Sequence, residues 1–221
     1  TNDDANINKA IFLTNTNTFD KLIITESLRR DDYSTFNISN TGKIGAKYYI
    51  LEDLSLSGNY GTAFNAPNLI QVLNPWGITN PDLEPEKTKG YDLSVNYKAI
   101  TVTYFENKVE NLINWKNSQY QNIEGTSTLK GYELAYKKAV IEDTFLNLNY
   151  TALDAEDSKG DDLARRPKNQ VGFGVDYYGI KDFHFNVNGQ YVGDRYSGVN
   201  KTGAETGNYT VWNSVVNYEI N

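Results

Sequence analysis

The sequence predicts an all-β chain. It reads as an up-and-down antiparallel sheet of about 11 strands, forming a segment of a transmembrane β-barrel. Short turns lie on one rim and long loops on the other. Three observations predict this. Apolar and polar residues alternate with period two over most of the 221 residues, and helical periodicity is nearly absent. Connections alternate strictly between short and long. Tyrosines fall at two heights along the alternating runs, as the aromatic girdles of a membrane barrel do.

Taken in order, the first strand leads to a short turn near 15–20, and a less regular strand follows over 21–30. Alternation is clear at 44–50 and 54–64, and these runs flank a turn at 51–53. In 91–97, Tyr91, Leu93, Val95 and Tyr97 oppose Asp92, Ser94 and Asn96. A turn at 97–99 leads to 100–105, and after a long loop the pattern resumes at 132–136. In 145–152, Leu146, Leu148, Tyr150 and Ala152 oppose Asn147, Asn149 and Thr151. In 171–177, Val171, Phe173, Val175 and Tyr177 oppose Gly172, Gly174 and Asp176. In 183–191, Phe183, Phe185, Val187 and Tyr191 oppose His184, Asn186, Asn188 and Gln190. The last run, 207–220, is less regular. Turns near 140–142 and 179–181 complete the short set, and polar loops near 31–41, 65–86, 113–126, 154–166 and 196–207 form the long set.

Runs heading toward the short turns end in Tyr48-Tyr49, Tyr97, Tyr136, Tyr177-Tyr178 and Tyr218. Runs leaving them carry Tyr60, Tyr104, Tyr150 and Tyr191 further along. The chain has 17 tyrosines, yet only 39% of its residues are hydrophobic. So polar a chain would bury a thin core in water, whereas tyrosine suits a boundary that is apolar on one side and wet on the other. The opposite face carries Ser, Thr, Asn, Gln, Gly, Asp and Lys, which suits a wet or plugged lumen. A net charge of −7, with scattered Lys and Arg, argues against nucleic-acid binding. Cysteine is absent, which excludes disulfides and thiolate metal sites. The lack of methionine leads us to expect a chain that begins downstream of its translation start. No apolar run is long enough for a membrane helix.

Several ordered segments carry a family resemblance. "NYGTAFNAPNLIQVL" (59–73) and "NPDLEPEKTKGYDLSVNY" (80–97) resemble the signature stretch of TonB-dependent outer-membrane receptors. "ITESLRRDDYSTF" (24–36), "YFENKVENLINW" (104–115), "YQNIEGTSTLKGYELAY" (120–136), "NYTALDAEDSKGDDLARRPKNQVGFGVDY" (149–177) and "GQYVGDRYSG" (189–198) are similar to successive later strands and loops of that family. Within it, "YGTAFNAPNL", "NPDLEPEK" and "LARRPKNQV" look most like cobalamin receptors, with ferric-siderophore receptors nearly as close. The resemblance implies a 22-stranded barrel around an N-terminal plug. Residues 1–221 would form one wall segment, without the plug, the early strands or the last two strands. It further implies outer-membrane localisation and active uptake of cobalamin or a ferric siderophore. The partners it implies are the plug and, through it, TonB, together with outer-membrane lipid and lipopolysaccharide.

Candidate site residues follow from position. In the long loops, Asn74, Trp76, Asn80 and Tyr120 are candidates for contact with a bulky metal chelate; Trp115 and Tyr120 also fit the upper girdle. Pro81 and Pro85 fix the re-entry of loop 65–86 into the wall, with or without a ligand role. On the polar face, Asp176, His184 and one of Arg165 and Arg166 are candidates for lumen or plug contact, the two arginines pointing to opposite faces if they open a strand. His184 is the only histidine. With no nucleophile elbow or fixed triad spacing, enzymatic activity is not expected, although a barrel hydrolase is the best enzyme alternative. The acids Asp31-Asp32 and Asp154, Glu156, Asp157, Asp161 and Asp162 have oxygen ligands suited to calcium but lack EF-hand spacing. No cofactor and no resident metal are expected. A passive porin-like barrel and a soluble β-sheet binding module are the alternative readings.

Overall fold

A computed structural model describes residues 7–220. Eleven long strands form one antiparallel sheet in nearly sequential order: β1 (Asn8–Phe19), β2 (Leu22–Tyr33), β3 (Ser39–Leu51), β4 (Leu54–Asn65), β5 (Glu86–Tyr97), β6 (Ile100–Glu110), β9 (Thr126–Ile141), β10 (Thr144–Glu156), β11 (Asn169–Ile180), β12 (Phe183–Val192) and β13 (Tyr209–Tyr218). Strands β7 (Ile113–Lys116) and β8 (Gln119–Asn122) form a separate hairpin, so β6 pairs directly with β9. A short helix, α1 (Leu69–Leu73), lies in the loop between β4 and β5.

All five short connections are two-residue turns. Four place one residue in the left-handed region: Asp20, Lys98, Asp143 and Asp182. Aspartate enters that region at lower cost than most side chains. The first turn differs from the sequence expectation. Residues 15–19 belong to β1, and the turn is Asp20-Lys21. The Asn/Thr run extends as a strand because hydroxyls meet across it, Thr14 with Ser27 at 3.1 Å and Thr16 with Thr25 at 3.2 Å.

Register divides the sheet into two chemistries. Directly opposed residues share a face. Leu148 opposes Tyr136 and Phe173, Val175 opposes Leu146 and Val187, and Tyr60 opposes Ile44 and Tyr91. This apolar face is uncovered: Leu148 is 41%, Val175 40% and Val187 46% exposed. The other face carries a ladder of short polar side chains. Ser94 meets Thr103 at 2.8 Å, and Asn59 donates to Asp92 at 2.8 Å. Asn147 and Asn149 lie over Gly174 and Gly172, where an added Cβ would fall about 2.6 and 2.4 Å from their amides. Buried hydrophobic residues, among those described, are Leu83, Val109, Ala155, Leu163, Ala164 and Val192, all near the long-loop rim. The middle of the sheet has no dry core, which is the arrangement of a wall between lipid and a wet lumen.

The upper aromatic band lies on the apolar face, as do Tyr48, Tyr97, Tyr136, Tyr177 and Tyr218 of the lower one, while Tyr49 and Tyr178 turn to the polar face. The upper one includes Tyr91 and Tyr132 besides Tyr60, Tyr104 and Tyr150. Its rings touch, Tyr91–Tyr104 at 6.0 Å and Tyr104–Tyr132 at 5.2 Å between centroids. Toward the long-loop rim this band gives way to charge. The Tyr91 and Tyr104 hydroxyls both donate to Glu106 at 3.1 Å, and Lys130 pairs with Asp154 at 3.5 Å. A 12-residue strand reaches about 40 Å, which at a tilt of 35–45° crosses roughly 30 Å, the thickness of a hydrocarbon core.

The sheet is open among the described residues: β1 pairs with β2 alone and β13 with β12 alone. Both edge strands run toward the short-turn rim. Joining them directly would make a parallel seam, so antiparallel closure needs an odd number of further strands between them.

The two faces differ in their tolerance of charge. Val187→Arg at mid-height on the apolar face is expected to lower stability in a bilayer by about 2–4 kcal/mol, whereas Gln190→Arg on the polar face changes it by less than about 1 kcal/mol. Equilibrium unfolding in lipid vesicles checks this, and equal costs would refute the assignment of faces.

Candidate functional site

The long loops fold together at one mouth rather than standing apart. The α1 helix begins with a reciprocal cap: Gln71 N–H donates to Asn68 Oδ1 at 2.9 Å, and Asn68 N–H donates to Gln71 Oε1 at 3.0 Å. It ends at Asn74, whose φ of 41° closes the helix in the left-handed region. Asn74 is 2% exposed. Its amide donates to Ile78 O at 2.8 Å and to Ser118 O at 2.9 Å, so it ties the loop to the β7–β8 hairpin. Asn80 does the same further on, donating to Tyr120 O at 2.8 Å. Gln119 donates back to Thr79 O at 3.0 Å.

The charged re-entry segment is fixed in the same way. Asn122 donates to Glu84 O at 2.9 Å and accepts from Glu84 N–H at 2.9 Å. Asn111 donates to the Glu84 carboxylate at 2.7 Å. Glu86 accepts from Ile113 N–H at 2.8 Å and from Asn65 at 2.7 Å. The prolines Pro81 and Pro85 need no donor partners here, and the two glutamates bind the loop to the hairpin base.

On this frame the hairpin presents Trp115 and Tyr120 as an edge-to-face pair, with ring centroids 4.9 Å apart. Their strands form a two-stranded sheet that does not pair with the wall. A cavity of about 140 Å³ lies between this pair and the segment Leu163–Arg166 and is lined by both arginines. The arginines do not open a strand. Arg165 sits in a turn with φ 60°, its N–H donating to Tyr196 O at 2.7 Å, and β11 starts only at Asn169. The alternating-face expectation therefore does not apply to them, and both border the mouth. Trp76 lies on the same loop system and is 73% exposed.

The loop of residues 157–168 is built around its acids. Asp157 accepts from Lys159 N–H at 2.8 Å and from Asp161 N–H at 3.0 Å. Asp162 pairs with Lys168 at 3.0 Å and with Lys201 at 3.7 Å. The Asp162 hydrogen bond raises the Lys168 pKa above its ordinary value, so this ammonium stays charged. Among the described residues, no group of three or more His, Cys, Asp or Glu is placed to hold a metal.

Asp176 and His184 lie far from the mouth, on the polar face toward the short turns. His184 Nε2 meets Asp176 at 2.8 Å, and Asn217 donates to Nδ1 at 3.2 Å. That network assigns the Nε2–H tautomer. Tyr178 stacks on the imidazole at 4.3 Å, and Asp176 also accepts from Asn186 at 2.9 Å. Among the described residues, the ring's partners are a carboxylate, an amide and a phenol ring.

Sequence reasoning did not reach Arg195, Lys168 or Lys201. They surround a second cavity of about 250 Å³ between the loops of residues 157–168 and 193–208.

A family model described as "TonB dependent receptor-like, beta-barrel" matches residues 1–221. The vitamin B12 transporter BtuB of Vibrio cholerae serotype O1 is 29% identical over 181 residues, covering 78% of this chain and 29% of the relative. Among solved structures, a mutant of the ferric enterobactin receptor PfeA of Pseudomonas aeruginosa superposes with a TM-score of 0.75 at 17% identity, covering 97% of this chain and 37% of that one. The siderophore receptor PirA of the same organism gives a TM-score of 0.72 at 19% identity, covering 97% and 40%. At these identities the structural likenesses establish the shared fold. The chain spans less than half the length of each of these proteins.

The frame of the mouth has a direct test. Asn74→Ala removes two buried donor contacts and is expected to loosen the hairpin by about 2 kcal/mol, leaving the wall intact. Hydrogen exchange should speed up at residues 113–122 and stay unchanged in β10–β12. Unchanged exchange in the hairpin would remove Asn74 as its tie.

Proposed function

Because the chain belongs to the TonB-dependent receptor-like β-barrel family, we propose that it is part of the wall of an outer-membrane receptor that takes up a metal chelate of the cobalamin or ferric-siderophore kind. The observation that carries the reading is the mouth itself. An aromatic pair, Trp115 and Tyr120, shares a cavity with Arg165 and Arg166, and side-chain amides bind the aromatic hairpin to the α1 loop.

That arrangement suits a bulky, partly planar ligand. Aromatic faces supply area at low entropic cost, and guanidinium groups supply directed donors. Asn74 and Asn80 hold the loops in place, while Trp76, Trp115 and Tyr120 face the ligand. Asp176 and His184 on the inner wall meet the N-terminal plug, and TonB acts on that plug to release the ligand inward. The exposed apolar band faces outer-membrane lipid, with lipopolysaccharide head groups at the height of the Lys130–Asp154 belt. Loops packed over the mouth favour a gated receptor over an open passive pore.

The test uses the complete parent receptor in detergent, with vitamin B12 and ferric enterobactin as probes. One of the two is expected to bind, and Trp115→Ala or Tyr120→Ala should weaken it about tenfold, the worth of one lost aromatic contact. If neither probe binds the unaltered receptor, the reading fails.

A further inference from the structure

One stretch of the apolar face is polar. On β1 and β2, Leu13 opposes Leu28 and Phe19 opposes Leu22, but between these pairs Asn15 opposes Glu26 and Asn17 opposes Ile24. All of them share the face of Ile44 and Tyr60, since Glu26 also opposes Ile44 and Ile44 opposes Tyr60. Register fixes the height. Leu22 lies beside a short turn, yet its row of partners runs through Tyr48 and Leu56 to Tyr191 and Thr210 near the long-loop rim, so rows climb from β2 to β13. The row of Glu26 reaches Tyr60 of the upper band two strands later, which places Glu26 below that band. Leu22, four residues nearer the turn, is in the row of Tyr48 of the lower band. Glu26 therefore sits between the two tyrosine bands, at the depth of the hydrocarbon core.

Among the described residues, the Glu26 carboxyl has no hydrogen bond and no ion pair, and neither Asn15 nor Asn17 has a side-chain hydrogen bond. The next basic side chain on this face of β2, Arg30, is four residues on, about 13 Å away. Hydrocarbon offers such groups no partner, so leaving them bare is costly. The patch holds what it needs to cover itself: two carboxamide donors beside a carboxyl acceptor. A two-fold axis along the membrane normal keeps the long loops of two copies on the same side. Set between β1 and β2, it brings β1 of each copy against β2 of the other. At a strand spacing of about 4.8 Å and a tilt of 35–45°, opposed residues differ in height by only about 3 Å, so Asn15 of one copy faces Glu26 of the other, twice over. Exposed Leu13, Leu28 and Phe19 flank the contact above and below.

We propose that the Asn15, Asn17 and Glu26 patch is the centre of an interface within the membrane between two copies of the parent receptor, each Glu26 carboxyl accepting from the Asn15 amide of the other copy. The proposal rests on the apolar face being the lipid side of the wall and on no property of the ligand.

The complete parent receptor, labelled with donor or acceptor dyes in lipid vesicles, reports association by energy transfer as the protein-to-lipid ratio rises. Saturable transfer with the stoichiometry of a dimer is expected. Glu26→Leu should weaken association at least about tenfold, since it removes a hydrogen bond to a carboxyl at each of two symmetric contacts. Glu26→Gln keeps an acceptor and should preserve association, and Ser214→Val, on the apolar face of β13, should leave it unchanged. If Glu26→Leu does not fold, Asn15→Leu with Asn17→Leu carries the same expectation. No saturable association of the unaltered receptor, or full association of the leucine variants, overturns the interface. A dye at position 187, read against brominated lipid, tests the wall by itself: absence of quenching there overturns the lipid assignment and the interface with it. A monomeric receptor quenched at position 187 but shielded at position 26 assigns the patch to a neighbouring strand of the same barrel and overturns the second copy.

Discussion

Every backbone N–H and C=O that crosses lipid must find its partner inside the protein, because hydrocarbon offers none. A sheet meets that demand only through its neighbours. The eleven-strand ladder, with strands joined in pairs by two-residue turns on one rim and long loops on the other, follows from it. So does the division of faces. Once the backbone is satisfied laterally, side chains alternate freely between two solvents, and the absence of a dry core becomes an expected property of the wall. The edges β1 and β13 are where the demand is unmet, and their common direction dictates what kind of neighbour can meet it.

The constraint relaxes at the long-loop rim, and the chemistry changes there. Irregular backbone, left-handed residues and side-chain-to-backbone amide bonds replace the ladder. Asparagine carries much of this. Its amide offers both a donor and an acceptor of peptide geometry, so Asn74, Asn80 and Asn122 join loops as a strand would, without needing register. The buried hydrophobic residues gather at the same rim. The part of the chain best placed to touch a ligand is thus also the part packed most like a soluble protein, and its shape is set by contacts that do not depend on the membrane.

What the sequence made legible follows the same division. Wall strands, turn positions and faces were readable because period-two alternation reports directly on a two-solvent wall. Tyr91 and Tyr132 join the upper band for the same reason and needed only register to be placed. The mouth was less readable. How the α1 loop sits on the β7–β8 hairpin depends on contacts between residues about 40 apart in the chain, such as Asn80 with Tyr120, and no local period encodes those. Asn74 and Trp76 look alike in the sequence as polar-loop candidates, yet one is buried scaffold and the other open surface. The second cavity was invisible because its cations come from two loops whose approach only the fold reveals.

The distribution of charge ties these levels together. A chain with seven excess negative charges still places Arg165, Arg166 and Arg195 at the mouth, while the inner wall below carries amides and hydroxyls together with charged groups such as Asp92, bound to Asn59, and Asp176, bound to His184. An anionic ligand approaching an acidic surface is repelled at long range and attracted only at short range, where the guanidinium groups are close and screening is incomplete. For the proposed uptake, selectivity would then come from reaching the mouth rather than from steering toward it. On the proposed reading, a ligand would have to fit between the aromatic pair and the loop of residues 157–168 before meeting the guanidinium groups, which would make shape the first filter and charge the second.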